Sequence, residues 1–297
     1  MVKKKGRTAM RNKKIIKSFI AIFVMVMAFS FVSLTAEAAT KTKKLTLYVG
    51  EKIQYTYYGL GTMKSVSSSK KSVVAASKKS GRAIISAKKK GSAQVTVKGT
   101  RGTFIYKITV KSKPVINVSL EPRADGYVNV KVQNKSSVYF DSITVKLTYR
   151  DASGNIVDSS NTYIHYLGAK KTACDDDYPF SSSGIDLSKT TYEIEYDRDF
   201  GGDYKQSDYT KNVKYSASLN NGYLNLKTSI SYKKNADVYA GYTIYFYDAA
   251  GNLVGVRDGY SYLSGSKKKY RTDTTKIYAP SDAVSYNIVK RAVMKKR

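Results

Sequence analysis

Short runs in which apolar and polar residues alternate cover most of the chain, and they constrain its fold more than any other feature. Val, Ile, Tyr and Thr recur at every second position, as in residues 45–49 and 104–110, and Gly, Asn, Asp and Ser interrupt the runs. Alternate residues of a strand share one face of a sheet, so each run predicts a strand with one dry and one wet face. The 27 tyrosines and four prolines favour strands over helices. Many short strands separated by turn residues predict an all-β fold of tandem β-sandwich modules.

The C-terminal two thirds of the chain contains an internal repeat. The segment DASGNIV at residues 151–157 recurs as DAAGNLV at residues 248–254, which is 97 positions later. Tyr163 and Tyr260 match at the same spacing. The Gly and Asn of each segment supply the backbone conformations that a tight hairpin needs. A shared register of this kind predicts two copies of one module.

The first 38 residues have the pattern of a secretory signal peptide. Eight Lys or Arg and no acid lie in residues 1–17, and an apolar run follows at residues 18–34. Ala36 and Ala38 then provide the small residues that a signal peptidase requires, which predicts a signal helix cleaved after Ala38. Contact with a membrane is expected only through this segment before cleavage. An uncleaved anchor is the alternative.

Residues 43–111 resemble the group 2 bacterial Ig-like domain. The resemblance lies in the segments LTLYVGEKIQYTY, SSSKKSVVAAS, GRAIISAKKKGSAQVTV and YKITVK. The aromatic residue that often precedes the Ser-Ser element is absent, and Val66 stands nearby. The resemblance implies an immunoglobulin-like β-sandwich that serves as a spacer or binding module without catalysis.

The two repeats resemble the FxLYD-type module of exported bacterial proteins in the segments VNVKVQNKSS and ITVKLTYRDASGNIV. The expected fold is therefore a series of immunoglobulin-like β-sandwiches after the signal helix. The expected division is a signal peptide (1–38), a bacterial Ig-like domain (39–113), a first sandwich repeat (114–200), a linker (201–211) and a second sandwich repeat with a basic tail (212–297).

The charge is distributed unevenly along the chain. Residues 39–113 contain 18 Lys or Arg and one acid, Glu51, whereas residues 114–211 contain 11 bases and 15 acids. Residues 212–297 contain 15 bases and five acids. Such asymmetry reports on partners rather than on fold. One acid among so many bases predicts that the first module attracts polyanions.

Ten lysines of the first module form the candidate polyanion-binding set: Lys41, Lys43, Lys44, Lys70, Lys71, Lys78, Lys79, Lys88, Lys89 and Lys90. A solvated outer face is the alternative interpretation, but the excess of bases is larger than solubility requires. For an exported chain the expected partner is an anionic cell-wall polymer of the teichoic acid kind, or a polysaccharide. Nucleic acid presents a similar charge but is the lesser candidate because the chain is exported.

No catalytic, metal-binding or cofactor-binding motif is present in the sequence. The one histidine, His165, corresponds to Tyr262 in the second repeat, so a packing or surface role is favoured over a catalytic base. Asp175 to Asp177, together with Asp186, supply oxygen atoms of the kind that bind Ca²⁺. The second repeat lacks such a cluster, and a solvated loop is favoured. No enzyme activity, metal or cofactor is expected.

The single cysteine, Cys174, excludes an intramolecular disulfide. We expect it to be an inert thiol in a loop, because the three aspartates that follow it raise its pKa.

Taken together, the sequence predicts a secreted, monomeric and non-catalytic binding or spacer protein of a Gram-positive cell envelope, retained there without a covalent anchor. The alternatives are an accessory carbohydrate-binding protein of a polysaccharide-processing system and an adhesin. The sequence does not identify the ligand.

Overall fold

A computed structural model describes residues 39–179, 184–198, 205–231, 236–265 and 270–296, and the predicted signal peptide lies outside them. Strands make up the regular structure of these residues, apart from 3-10 turns at Tyr58–Leu60 and Thr210–Asn212. The predicted all-β fold of several sandwich-like modules is confirmed. Among the described residues, no helix is long and apolar enough to cross a membrane.

The first sandwich consists of seven strands in two sheets. The strands are β1 (Ala39–Tyr48), β2 (Lys52–Tyr55), β3 (Met63–Ser68), β4 (Val74–Lys79), β5 (Arg82–Ala87), β6 (Gly91–Gly99) and β7 (Gly102–Lys111). One sheet has the order β1-β7-β6-β3 and the other has the order β2-β5-β4, with β1 parallel to β7. Alternating residues such as Leu45, Leu47 and Val95 form the core between the sheets.

The second sandwich has six strands: β8 (Ile116–Pro122), β9 (Val128–Asn134), β10 (Phe140–Arg150), β11 (Ile156–Leu167), β12 (Thr172–Asp177) and β13 (Thr191–Asp197). Its sheets have the orders β12-β9-β8 and β11-β10-β13. The core lies between them and includes Val130, Val145 and Ile164.

The third sandwich has seven strands: β14 (Lys205–Asp208), β15 (Val213–Asn220), β16 (Tyr223–Ser231), β17 (Asp237–Tyr247), β18 (Leu253–Leu263), β19 (Tyr270–Tyr278) and β20 (Ser285–Lys296). Its sheets have the orders β15-β16-β19 and β14-β20-β17-β18. Without β14, this is the strand order of the second sandwich, with β15 to β20 in the places of β8 to β13.

The repeated DxxGN segments form the same hairpin in both copies. The Asp151 carboxylate accepts a hydrogen bond from the backbone N–H of Asn155, and Asp248 accepts the equivalent bond from Asn252, each at 2.8 Å. In the first hairpin, Gly154 lies between Asp151 and Asn155. Its φ of 87° is in the left-handed region, where a residue with a side chain would be strained. The sequence therefore determines these two turns locally.

Two parts of the chain differ from the sequence-based expectation. Residues 205–211 of the predicted linker belong to the third sandwich, since β14 pairs with β20 and Tyr209 lies in its core. The predicted basic tail is the end of β20, where Lys295 is buried and forms a 2.6 Å ion pair with Asp141 of the second sandwich. Strand β14 is a short edge strand of polar residues, and such strands have the composition of loops.

The second and third sandwiches contact each other through an edge and a face. Strands β11 and β12 are edge strands of the two sheets of the second sandwich, and they pack against β17, β18 and β20. The backbone N–H of His165 in β11 donates to the Asp258 carboxylate at 3.1 Å, and the guanidinium of Arg291 donates to the His165 carbonyl, also at 3.1 Å. Side chains of the third sandwich thus satisfy backbone groups that an exposed edge would leave unpaired.

Candidate anion-binding surface

The ten candidate lysines are distributed over several separate parts of the first sandwich. Lys70 and Lys71 follow β3, and Lys88, Lys89 and Lys90 lie in the turn between β5 and β6. The backbone N–H groups of Lys88 and Lys89 donate to the carbonyl of Val73 at 2.8 and 3.3 Å. These bonds join the two turns, so five lysines share one end of the sandwich. We call these five residues the end cluster, and all are exposed.

The second place is the outer face of the sheet formed by β1, β7 and β6. Lys44 of β1 lies directly opposite Lys107 of β7, and Gln94 of β6 lies opposite Lys107 on the other side. These residues line a cavity of about 720 Å³ together with Thr46, Ser92, Thr109 and Arg198. The cavity therefore presents ammonium groups, hydroxyls and an amide, which are the donors that bind phosphate oxygens.

The remaining candidate lysines lie apart from the end cluster. Lys41 lies near the start of β1, and Lys43 lies opposite Tyr106 on the side of β1 away from Lys44. Lys78 donates to the carbonyl of Met63 at 2.6 Å, at the opposite end of the sandwich. Lys79 also lies at that end, directly opposite Arg82 in the β4–β5 hairpin. The structure therefore brings together five of the ten lysines and does not form one continuous patch from all of them.

Sequence reasoning missed Lys107 and Arg82, because neither lies in a run of bases. Each becomes notable only through strand register, which places it opposite another base. Like charges directly opposite each other on a sheet are destabilising. Each of these two pairs places two positive charges on neighbouring strands, where one anion could contact both.

Glu51 is the one acid of the first sandwich, and its charge is neutralised. It is buried, and its carboxylate accepts hydrogen bonds from Nε and Nη2 of Arg198 at 2.7 and 2.6 Å. Arg198 follows β13 of the second sandwich, so this ion pair joins the first two sandwiches. Its Nη2 also donates to the carbonyl of Thr46 at 2.9 Å, and its guanidinium lies 4.8 Å from the ring centroid of Tyr48. Consequently, no unpaired carboxylate of this sandwich opposes its exposed lysines.

The three consecutive aspartates lie in strand β12, so the expected solvated loop is wrong. Asp177 is buried, and its carboxylate accepts hydrogen bonds from the hydroxyls of Tyr149 and Ser160, both at 2.6 Å. Asp176 accepts from Nη1 of Arg123 at 2.6 Å and from Nη1 of Arg257 at 3.0 Å. The carboxylates therefore serve different partners and do not converge. Among the described residues, no group of three or more His, Cys, Asp or Glu side chains is arranged to hold a metal ion.

Cys174 lies in β12 as well, so the predicted loop position is wrong. The side chain is buried, and burial raises the pKa of its thiol to about 12, with smaller contributions from Asp176 and Asp175. The thiol is therefore protonated at neutral pH, which fits the expected inertness. The cause is mainly desolvation rather than the neighbouring acids on which the sequence argument relied.

His165 lies at the contact between the second and third sandwiches. Its ring is 5.5 Å from that of Tyr260, and its Nδ1 is 3.7 Å from the Asp258 carboxylate. This carboxylate also forms a hydrogen-bonded ion pair with Arg291. His165 is thus part of an interface, in keeping with the packing or surface role favoured by the sequence.

No protein-family model matches the chain, and no curated protein matches it. Among solved structures, the C-terminal globular domain of an oligosaccharyltransferase from Pyrococcus abyssi aligns with 76% of this chain at 9% identity and a TM-score of 0.16. The aligned part is 51% of that domain, so the chain spans about half of it. The N-terminal CBM22-1-CBM22-2 tandem domain of Xyn10C from Paenibacillus barcinonensis aligns with 84% of this chain and 90% of its own length, at 11% identity and a TM-score of 0.09. Neither similarity is strong enough to assign a family or a ligand.

Proposed function

We propose that this protein is exported and non-catalytic, and that its first sandwich binds an anionic cell-wall polymer by charge. The second and third sandwiches act as a spacer that carries further contacts. The proposal includes a bacterial Ig-like identity for residues 43–111, an FxLYD-type identity for the two repeats, and a monomeric state at a Gram-positive envelope. The support for export is the sequence pattern of residues 1–38, which ends in Ala36 and Ala38.

One observation carries the proposal: the first sandwich has 18 bases, and its one acid is already neutralised by Arg198 of the next sandwich. An acid on the surface would interrupt the positive potential, but Glu51 is buried in an ion pair. The potential around the end cluster and around Lys44 and Lys107 is therefore of one sign. A surface of this kind concentrates anionic ligands and accelerates their association.

Binding of this kind releases the counterions that surround a polyanion, as described for nucleic acids. A poly(glycerol phosphate) or similar wall polymer has the same regularly spaced phosphates. Affinity should fall steeply with salt, because exposed charges are screened over about 8 Å at physiological ionic strength. No single lysine should dominate, since the charges lie at both ends and on one face of the sandwich.

The experiment uses the mature chain (residues 39–297) and purified cell walls that bear or lack teichoic acid, across a salt series. We expect retention on the first walls only, with a steep salt dependence. Replacing Lys88, Lys89 and Lys90 with Gln should weaken retention in part and make the salt dependence shallower.

A matched control removes three exposed lysines from the third sandwich, namely Lys214, Lys227 and Lys276. It changes the net charge by the same amount, so retention should be nearly that of the unmodified chain. Equal binding to both kinds of wall, or equal losses in the two triple variants, would contradict the proposal. Proteolytic fragments or light scattering of the variants would show whether any loss arises from misfolding.

A further inference from the structure

Each of the two repeats carries a pair of exposed aromatic rings at the same place on the same strand. In the second sandwich the pair is Tyr163 and His165 of β11, and in the third it is Tyr260 and Tyr262 of β18, 97 positions later. The exposed fractions are 50% for Tyr163, 39% for the His165 side chain, 38% for Tyr260 and 47% for Tyr262. Single exposed aromatic residues are common, but a repeated pair on equivalent strands needs a reason.

Docking of the second sandwich on the third brings the two pairs together. The ring centroids of His165 and Tyr260 are 5.5 Å apart, although 95 residues separate them in the sequence. Within each strand, alternate side chains lie on one face about 7 Å apart. The four rings therefore form one connected row across the boundary between the sandwiches, which we call the aromatic row.

Two further tyrosines lie beside the aromatic row and contact it. Tyr166 of β11 stacks on Tyr239 of β17 with centroids 3.9 Å apart and planes at 18°. Tyr166 also contacts Tyr260 edge-on at 4.6 Å, and the ring of Tyr239, which lies directly opposite Tyr262 on the neighbouring strand, is 5.1 Å from that of Tyr262. Rings that contact one another in this way are held in fixed positions, which reduces the entropy lost when a ligand binds.

The backbone of Tyr166 supports a role in binding. Its φ is 48°, in the left-handed region that residues with a Cβ rarely adopt. Consecutive strand residues point to opposite faces, yet the rings of His165 and Tyr166 both contact Tyr260. The unusual φ accounts for this exception. Such conformations cluster at ligand-binding sites, where the surrounding structure maintains the strain.

The charges around the aromatic row differ from those of the first sandwich. The ammonium of Lys295, near the rings of Tyr166 and Tyr239, is paired with Asp141 at 2.6 Å. The hydroxyl of Tyr262 donates to the carboxylate of Asp237 at 3.1 Å. Of the described residues around the row, Lys295 is paired, and Asp141 and Asp237 supply carboxylates, which disfavours a polyanion at this part of the surface. Aromatic faces bordered by carboxylates and hydroxyls fit an uncharged ligand that has both apolar C–H faces and many hydroxyl groups.

We propose that Tyr163, His165, Tyr260 and Tyr262 form a binding surface for an uncharged polysaccharide, whose sugar rings lie on the tyrosine faces. The four rings extend over two sandwiches, so the ligand is a chain of several sugars rather than a monosaccharide. Asp237 accepts hydrogen bonds from sugar hydroxyls at one end of the row. This site is separate from the lysines of the first sandwich and does not depend on the function proposed for them.

The test is calorimetric titration of the mature chain with five soluble uncharged probes: a β-1,3-glucan, glucomannan, arabinoxylan, galactan and chitohexaose. We expect at least one to bind, with an affinity that is unchanged across a salt series. Tyr163→Ala and Tyr260→Ala should each weaken this binding by about tenfold, the loss expected when one stacked ring is removed. The matched control is Tyr278→Ala, because Tyr278 is 61% exposed on the other sheet of the third sandwich, and it should bind normally.

Other outcomes would overturn this inference. The first is that none of the five probes binds, and the second is that Tyr278→Ala loses as much affinity as Tyr260→Ala. The third is that the protein binds a sulfated polysaccharide or single-stranded DNA and that Tyr260→Ala abolishes this binding. Thermal denaturation of each variant identifies any loss that comes from misfolding, and Tyr163→Phe, which keeps the ring, should retain binding. The triple lysine variant of the first sandwich should bind these probes normally, so a failure here is distinguishable from a failure of the wall-polymer proposal.

Discussion

The second and third sandwiches share a strand order, yet the equivalent faces of their larger sheets differ in how far they are covered. In the second sandwich the face of β10, β11 and β13 carries Lys146 and Glu195, an exposed ion pair of 2.7 Å. In the third, the face of β17, β18 and β20 carries Arg291 and Asp258, whose side chains are 2% and 0% exposed. The same type of ion pair thus makes a solvated surface in one copy and an interface in the other.

The residues around each pair explain the difference. Thr144 of β10 lies opposite Glu195, and its counterpart in the repeat, Gly241 of β17, lies opposite Arg291. A Cβ on Gly241 would come within 2.9 Å of Cγ and Nε of Arg291, so only glycine leaves room for this arginine to lie across the sheet. In that position the arginine reaches both Asp258 and the carbonyl of His165. Duplicated modules therefore need few substitutions to turn an outer face into a docking face.

The largest effect should come from Arg291→Met. The change leaves the buried carboxylate of Asp258 without its counter-ion, and breaking a buried ion pair costs about 3–5 kcal/mol. Urea denaturation, monitored by tyrosine fluorescence, measures the loss as a lower free energy of unfolding.

The equivalent change in the exposed pair, Lys146→Met, is the matched control and should leave the denaturation midpoint unchanged. If the two variants lost similar free energy, the difference in burial would not explain the roles of the two faces.

A smaller loss should follow from Gly241→Ala. The added methyl group forces Arg291 away from its partners, and overpacking of this kind costs about 1–3 kcal/mol. Thr144→Ala at the equivalent position of the second sandwich should have little effect. Thermal denaturation of both variants provides the comparison, and a stable Gly241→Ala protein would show that the arginine does not need this space.

A third comparison concerns a buried hydrogen bond that only the second sandwich has. Tyr149 donates a hydrogen bond to Asp177 in the second sandwich. In the third sandwich, Phe246 takes the place of Tyr149 in the repeat, and Ile277 takes the place of Asp177 in the strand pairing. Tyr149→Phe should cost about 1–3 kcal/mol, because it removes a donor from a buried carboxylate. Tyr149→Phe combined with Asp177→Ile copies the apolar pair of the third sandwich. If it is no more stable than Asp177→Ile alone, the two positions are not coupled.

The fourth comparison concerns pH. Burial, followed by the nearby carboxylate of Asp258, raises the pKa of Asp175 to about 7 from 3.8. The folded protein therefore holds this proton more tightly than the unfolded chain does. The stabilising contribution is complete below pH 3.8 and is lost as the pH rises through about 7.

Melting temperatures measured between pH 5 and pH 8 should accordingly fall as the pH rises. Asp175→Asn should make the melting temperature less dependent on pH in this range. Thr275 occupies the position of Asp175 in the third sandwich, and Thr275→Asn should leave the pH dependence unchanged. An unchanged slope in Asp175→Asn would assign the pH dependence to other groups.

The sequence by itself determined the local features of this protein. Alternation predicted most strands, such as β6 and β7, because burial of one face selects apolar residues at every second position. The matching segments at residues 151–157 and 248–254 predicted two equivalent hairpins, because a tight turn depends on the few residues within it. The difference in net charge between the modules was also predictable from the sequence, because net charge is a sum over residues and does not depend on their positions in space.

Only the tertiary structure decided which residues far apart in the chain meet. The strand position of Cys174 was missed, because polar edge strands such as β12 have the composition of loops. The position of Lys44 opposite Lys107 depends on strand register, and the contacts of Glu51 with Arg198 and of His165 with Tyr260 depend on module docking. Such contacts arise from the combined packing of many residues, so no short segment of the sequence encodes them.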